Sequence, residues 1–350
     1  MRFSETSAPR RALTAVTAAA VLAAGLAACA PSSEDSRPEV TLLTHESFDL
    51  PDAVIDSFES TTGMTLNVVK AGDGGSLSAQ VSLTPGSPKG DAVFGIDNTF
   101  AARPIEAGAL EPYVSPAAAD GAQEYAVKDK GEVSDLLTAV DRGDVCLNID
   151  DAWYDRHELP APTSIDDLAD PRYRDQAVLL DPSTSSPGMG FLLATIGRYG
   201  ERAEPFWHQI IDNGAKVVGG WQVAYNQEFS AGAGHGDRPI AVSYASSPAA
   251  TPGTSALLDS CFAQIEYIGV LRGAANTEGA KKLVDFMLSP EVQSALPTSM
   301  YVYPVQKDIR LPAAWQHRAP TPGWTVRMAP DYIDANREKW LDEWRTAMKR

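Results

Sequence analysis

Short runs of β-branched and aliphatic residues recur along this chain of 350 residues, each leading through a glycine-, serine- or aspartate-rich corner into a stretch of helical periodicity. Strands that alternate with helices predict a mostly parallel α/β sheet, whose ligand crevices lie beyond the carboxyl ends of the strands. The first run is Val40-Thr41-Leu42-Leu43-Thr44, followed by a helix in which Val54, Ile55 and Phe58 share a face and Gly63 stops the turn. Leu66 to Val69 is the second strand, leading through Gly72-Asp73-Gly74-Gly75-Ser76 to a helix from Leu77. Asp91 to Ile96 is the third, ending in Asp97-Asn98. His45, Glu46, Asp73 and Asp97 all fall at such strand ends, which makes them candidate ligand residues.

The second half of the chain repeats the pattern. A β-like stretch spans Val145 to Ile149, and Ser164 with Asp167 forms a capping box on a short helix. The strand-like Ala177 to Leu180 leads into Asp181-Pro182-Ser183-Thr184-Ser185-Ser186-Pro187-Gly188-Met189-Gly190, then a helix read from Phe191 to Tyr199. Hydroxyls and free N–H groups at a helix N-terminus suit a polar or anionic ligand group, and they equally serve as ordinary caps. Ala203 to Asp212 is a helix, Lys216 to Val218 a strand, and Gly219-Gly220-Trp221 opens a helix carrying Tyr225 and Phe229. Pro239 to Tyr244 and Phe262 to Leu271 read as strands, the second containing Glu266. Helices follow at Thr277 to Leu288 and Pro290 to Leu296, then a loop from Pro297 to Pro304 with exposed aromatics, and a final helix from about Tyr332 to Met348.

With 44% hydrophobic residues and 21% charged ones, the chain can bury a sizeable core and is long enough for two domains. Its net charge of −17 argues against nucleic acid, whose phosphates demand a basic surface, and suits a cationic ligand better. Arg2, Arg10 and Arg11 precede an apolar, small-residue stretch that ends Leu26-Ala27-Ala28-Cys29. This is the pattern of a bacterial lipoprotein signal over residues 1–28, with a lipid on Cys29. Pro31 to Glu39 reads as a tether, and the mature chain is expected to sit on the outer face of the cell membrane. Only Cys146 and Cys261 remain, and in an exported chain they suggest either one disulfide or two buried free thiols. Thiols so far apart match no compact metal-ligand spacing.

No nucleophile elbow, P-loop, zinc-protease helix or dinucleotide fingerprint occurs, so no catalytic residue and no cofactor is expected. The corners at Asp73-Gly74, Ser185-Ser186 and Gly220-Trp221 offer donors, and Trp221, Tyr225, Tyr244 and Tyr301 stand at turns nearby. Carboxylates beside aromatic faces are what a flat organic cation needs. Each aromatic alone reads equally as core packing.

Seven ordered blocks then carry a resemblance. They are Thr44-His45-Glu46-Ser47-Phe48, Asp73-Gly74-Gly75-Ser76, Asp91 to Asn98, Asp181 to Gly188, Gly220-Trp221-Gln222-Val223-Ala224-Tyr225, Ser243 to Pro248, and Pro297 to Val305. The chain resembles the substrate-binding lipoproteins of bacterial ABC importers, and among them the periplasmic thiamine-binding proteins, from about Val40 to the C-terminus. The resemblance implies a two-lobed, type II-like periplasmic-binding-protein fold with the ligand cleft between lobes. Lobe one would take residues 40–138 plus 265–350, and lobe two 139–264, with hinge strands near Val140 and Gln264. A Cys146–Cys261 bridge would then brace lobe two without locking closure. It further implies ligand contacts from Asp73, Gly74, Ser185, Trp221 and Tyr244. The family's usual first-block tyrosine is His45 here, its second aromatic after Ser-Pro is Ala250, and its tryptophan before Met-Tyr-Pro is Tyr301.

The expected activity is capture of thiamine, a thiamine phosphate or a related small organic cation, and its delivery to a membrane permease. The chain would act as a monomer. Two alternatives are a ferric iron or other small-solute binder of the same fold, and an exported hydrolase. Tyr244 is followed by Ala245 rather than a second tyrosine, which speaks against iron.

Overall fold

Val40 and Leu42 are buried on one side of a strand and Leu43 on the other, so the first β-branched run is covered on both faces, as a strand inside a parallel sheet must be. The computed structural model describes residues 37–319 and 321–349, which belong to one compact unit. The signal, the tether up to Ser36 and the lipidation site Cys29 lie outside the described residues.

The strands are β1 (Glu39–Thr44), β2 (Thr65–Lys70), β3 (Ala92–Asp97), β4 (Leu110–Glu111), β5 (Lys128–Asp129), β6 (Glu132–Val133), β7 (Thr138–Asp150), β8 (Ala177–Leu180), β9 (Lys216–Val218), β10 (Ile240–Tyr244), β11 (Thr254–Leu271) and β12 (Tyr303–Pro304). All but the small β5–β6 ribbon join one sheet in the order β2-β1-β3-β11-β7-β10-β8-β9, with β4 on β11 and β12 on β7. The outer triplets β2-β1-β3 and β10-β8-β9 are parallel. Between them run two long antiparallel strands, β7 and β11, each entering both halves of the molecule. Val140 lies in β7 and Gln264 in β11.

The register of β7 against β11 shifts between Leu257 and Phe262 and again between Glu266 and Tyr267. The first irregularity holds Cys261, which is bridged to Cys146 of β7 with an S–S distance of 2.03 Å and a Cα–Cα distance of 4.3 Å. The cysteines are therefore a disulfide, not two thiols.

Several boundaries differ from the sequence reading. The helix expected from Leu77 starts at Gly74, with Asp73 as its cap, and the helix expected from Phe191 starts at Ser186. Pro187 sits in the first turn, where its missing N–H costs nothing. β11 begins at Thr254, eight residues before Phe262, because the polar Asp259-Ser260 stretch is accommodated by the register shift rather than ending the strand. The segment expected as a loop from Pro297 is helical to Ser299. Tyr303 is buried, its hydroxyl donating to the Ala319 carbonyl at 2.5 Å, whereas Tyr301 is exposed.

The last helix, Pro330–Met348, lies against both halves. Trp344 packs edge-on against Trp207 of the helix Ala203–Asp212, with ring centroids 5.7 Å apart. At its other end the buried Arg337 guanidinium stacks 4.6 Å over Phe100 and donates to the Thr99 carbonyl.

Candidate ligand cleft

Between the two halves lies a cavity of about 270 Å³, lined from the first half by His45, Ser47 and Asp73 and from the second by Ser186, Trp221 and Tyr244. Glu266 of β11 lies on its wall, and Tyr225, Tyr301, Asn226, Thr251 and Met300 complete much of the rest. Among the described residues no lysine or arginine lines it.

Asp73 is the junction of the two halves. As the cap of the helix Gly74–Ser82 its Oδ1 accepts the Gly74 N–H at 2.6 Å and, from the other half, the Ser186 N–H at 3.3 Å. Oδ2 accepts the Trp221 N–H at 3.0 Å. Burial raises this carboxyl above the ordinary range, and the donors, Trp221 N–H foremost, act against that rise. Ser76 N–H to the Thr184 carbonyl (3.1 Å) and the Gln222 amide to Ser47 Oγ (3.1 Å) also cross the gap.

Gly74 does not line the cavity. A Cβ there would stand 2.1 Å from Ser186 Oγ, so the position is glycine because the halves approach each other. Ser185 is also withdrawn: it is fully buried, and its Oγ accepts the Gly188 N–H at 3.2 Å as the cap of the helix Ser186–Tyr199. The donors at this helix N-terminus are spent within the protein, so the capping reading describes Ser185, and the neighbouring Ser186 lines the cavity with its hydroxyl beside the Asp97 carboxyl. Glu46 likewise stands off the cavity, its carboxyl beside the Gln222 N–H and raised by burial and by Asp73. Asp97 lies behind the wall, where Oδ1 accepts the Thr99 N–H and hydroxyl and the Phe100 N–H, while burial pushes it up to about 6.

The aromatic residues expected from the turns do converge. Trp221 and Tyr225, on consecutive turns, stack with centroids 5.1 Å apart and planes 10° apart. Trp221 Nε1 donates to Ser243 Oγ at 2.9 Å, and Tyr225 donates to Thr251 Oγ1 at 3.0 Å, which fixes both rings. The Tyr244 ring occupies space that a side chain at Gly143 would fill, since a Cβ there would lie 2.8 Å from Tyr244 Cδ1. Tyr301 sits at the rim with a left-handed φ of 57°, its carbonyl accepting the Ser246 hydroxyl at 2.6 Å. His45 packs on Gly95, where a Cβ would fall 2.0 Å from the ring.

Sequence reasoning passed over Ser47, Asn226, Ser247, Thr251, Met300 and, most consequentially, Glu266, and it singled out Ser185 where Ser186 of the same corner lines the cavity. A carboxylate inside an otherwise apolar strand was the signal that marked Glu266.

Two outer parallel triplets joined by two crossing strands, with a ligand-sized cavity at the junction, define the two-lobed fold of periplasmic binding proteins. The profile of the family described as bacterial extracellular solute-binding protein matches residues 87–326, and the chain belongs to that family. It is 28% identical over 329 residues to the thiamine-binding periplasmic protein of Salmonella typhimurium, covering 90% of this chain and 95% of that one. To the protein of the same name from Escherichia coli it is 27% identical over 328 residues, with the same coverage. Among solved structures, a periplasmic thiamin binding protein aligns with a TM-score of 0.78 at 26% identity, over 91% of this chain and 99% of that one. The protein is thus an extracytoplasmic solute-binding protein, and the relatives are binding proteins rather than enzymes. Among the described residues no helix is long and apolar enough to cross a membrane.

Proposed function

We propose that this protein captures thiamine and delivers it to the permease of an ABC importer. The observation that carries the reading is the cavity wall itself: stacked aromatic rings and buried carboxyls, with no lysine or arginine among the described residues that line it. Aromatic faces and acids suit a flat cation through cation–π contact and charge pairing. The missing lysine or arginine, and a helix N-terminus already occupied by Asp73 and Ser185, favour free thiamine over a thiamine phosphate.

Capture follows from the shared strands. The lobes, taken as residues 40–138 with 265–350 and as 139–264, hinge within β7 and β11, and the Asp73 bonds to Ser186 and Trp221 form as they close. A lipid on Cys29 would keep the closed protein at the membrane beside its permease. Calorimetry with thiamine and thiamine monophosphate tests the ligand. Binding of thiamine with weaker binding of the phosphate is expected; absence of heat and of a thermal shift with millimolar thiamine would rule it out.

A further inference from the structure

Three carboxyls stand at matching register on neighbouring strands: Asp97 of β3 faces Glu266 of β11, and Glu266 faces Asp141 of β7. Directly opposed residues of antiparallel strands project to the same side of the sheet, about 5 Å apart. All three are buried, and Glu266 is the one that lines the cavity. Three like charges so close in a dry site cannot coexist, so protons are held among them.

The surroundings sort the three. Asp97 has its Thr99 and Phe100 donors and, from the last helix, the charge of Arg337. Neither oxygen of Asp141 meets an N–H or hydroxyl donor; its partner is the carboxyl of Glu266. Two carboxyls hydrogen-bond only when one carries a proton. Burial pushes Asp141 up to about 8 and drives Glu266 upward too, with Asp141, Asp97 and Asp73 adding to the effect on Glu266.

The other groups facing Glu266 bring no positive charge. His45 accepts the Ser47 N–H on Nδ1 at 3.2 Å, so the neutral ring presents Nε2–H toward Glu266 Oε1 at 3.7 Å. Burial, with Lys70 nearby, holds His45 down at about 4, so this contact is not an ion pair. Tyr244 of β10 stays a phenol through burial and the charges of Glu266 and Asp73. The buried His45 Nε2 has no hydrogen-bond partner and borders the same cavity, so a second polar group waits there beside Glu266.

We propose that Glu266 recognises the positive charge of the ligand, and that a cation entering the cavity displaces to solvent the proton shared by Glu266 and Asp141. One positive charge enters and one leaves, so the site keeps its net charge while Glu266 becomes a carboxylate facing the cation. Asp141 is the positioning partner that keeps the proton in place until then. The inference rests on the cationic ligand proposed above.

Two measurements decide it. Thiamine binding at pH 7, followed by calorimetry in buffers of different ionisation heat, should release close to one proton per ligand in the protein and none in Asp141→Asn, whose amide would hold Glu266 ionised beforehand. Glu266→Gln should lose the release and at least tenfold in affinity. Infrared spectra of the ligand-free protein should carry a protonated-carboxyl C=O band that thiamine removes and Asp141→Asn lacks. Heats that are equal across buffers would overturn the exchange and leave the ligand standing. No heat in any buffer would overturn the ligand and the exchange with it. No protonated-carboxyl band in the ligand-free protein would overturn the shared proton whatever binds.

Discussion

Asp73 and Trp221, 148 positions apart, meet through a single bond from the Trp221 N–H to Asp73 Oδ2, 3.0 Å long, that joins the two halves over the cavity. The residue that supplies an aromatic face to the cavity is thereby the residue whose backbone latches it. Ligand stacking and closure are coupled at one position.

Asp73→Asn should therefore weaken thiamine binding. An amide in place of the carboxylate sets N–H against N–H at one of the three bonds, and a hydrogen bond to a charged group is worth about 1.5–3 kcal/mol, which is roughly 10- to 150-fold in affinity. Calorimetry reads this directly, and small-angle scattering should show less compaction on adding ligand. Affinity within twofold of the unaltered protein would mean the latch contributes nothing.

Gly74→Ala separates stability from binding. In the helix Gly74–Ser82 alanine gains roughly 0.5–1 kcal/mol over glycine. Its Cβ, however, would fall 2.1 Å from Ser186 Oγ of the other half, while the Gly95 carbonyl of its own half, at 3.1 Å, needs to give only a few tenths of an ångström. The ligand-free melting temperature should hold or rise while thiamine affinity drops more than tenfold. A parallel fall of both would point to a folding defect instead.

Trp221→Ala removes one face of the stacked pair and should cost about tenfold in affinity, the scale of a partly desolvated cation–π contact. Trp221→Phe keeps a face but loses the bond to Ser243, and should fall between the two. Quenching of tryptophan emission by thiamine should disappear in both variants if Trp221 is the reporter.

The acid pair sets a pH dependence with a definite sign. Asp141 is raised from 3.8 to about 8, and Glu266 is raised alongside it, so the stability they contribute is complete below the unfolded values and lost as pH rises through about 8. His45 is lowered from 6.5 to about 4 and works the other way, adding stability as pH climbs to 6.5. Between pH 6.5 and 8 the pair acts without that opposition, and the melting temperature of the ligand-free protein should decline there, with Asp141→Asn flattening the slope. A melting temperature that rises across this interval counts against the shared proton.

The Cys146–Cys261 bridge spans 115 positions, and neither cysteine lines the cavity. Reduction, or replacement of both by serine, should lower stability by about 2–4 kcal/mol and leave thiamine affinity within about twofold. Melting with and without reductant, followed by titration of the reduced protein, checks both halves of this expectation.

Local chemistry made most strands readable: the β-branched runs at Val40, Leu66 and Lys216 are strands as expected. Helix starts were misread where proline and glycine cluster. Pro187, Gly188 and Gly190 look like loop residues, yet the first serves the opening turn and Gly188 lets the helix approach the Asp181 carbonyl, 2.9 Å from where a Cβ would be. In the cleft, aromatics at turns were legible because turns border crevices, and Trp221, Tyr225, Tyr244 and Tyr301 all line the cavity. Ser185 and Ser186 could not be told apart, since one residue of helical rotation decides which hydroxyl caps and which faces inward. Asp141 and Glu266 were invisible as a pair because their meeting depends on the register of two strands 125 positions apart, and no local pattern carries that register.

β7 and β11 each run through both halves, so the two halves share their central strands, and the half taken as residues 40–138 with 265–350 is not a continuous piece of chain. Cutting the gene at any single point leaves one fragment missing a central strand. A sensor made from this protein would accordingly carry its reporter in a surface loop, since a single cut separates strands that both halves use.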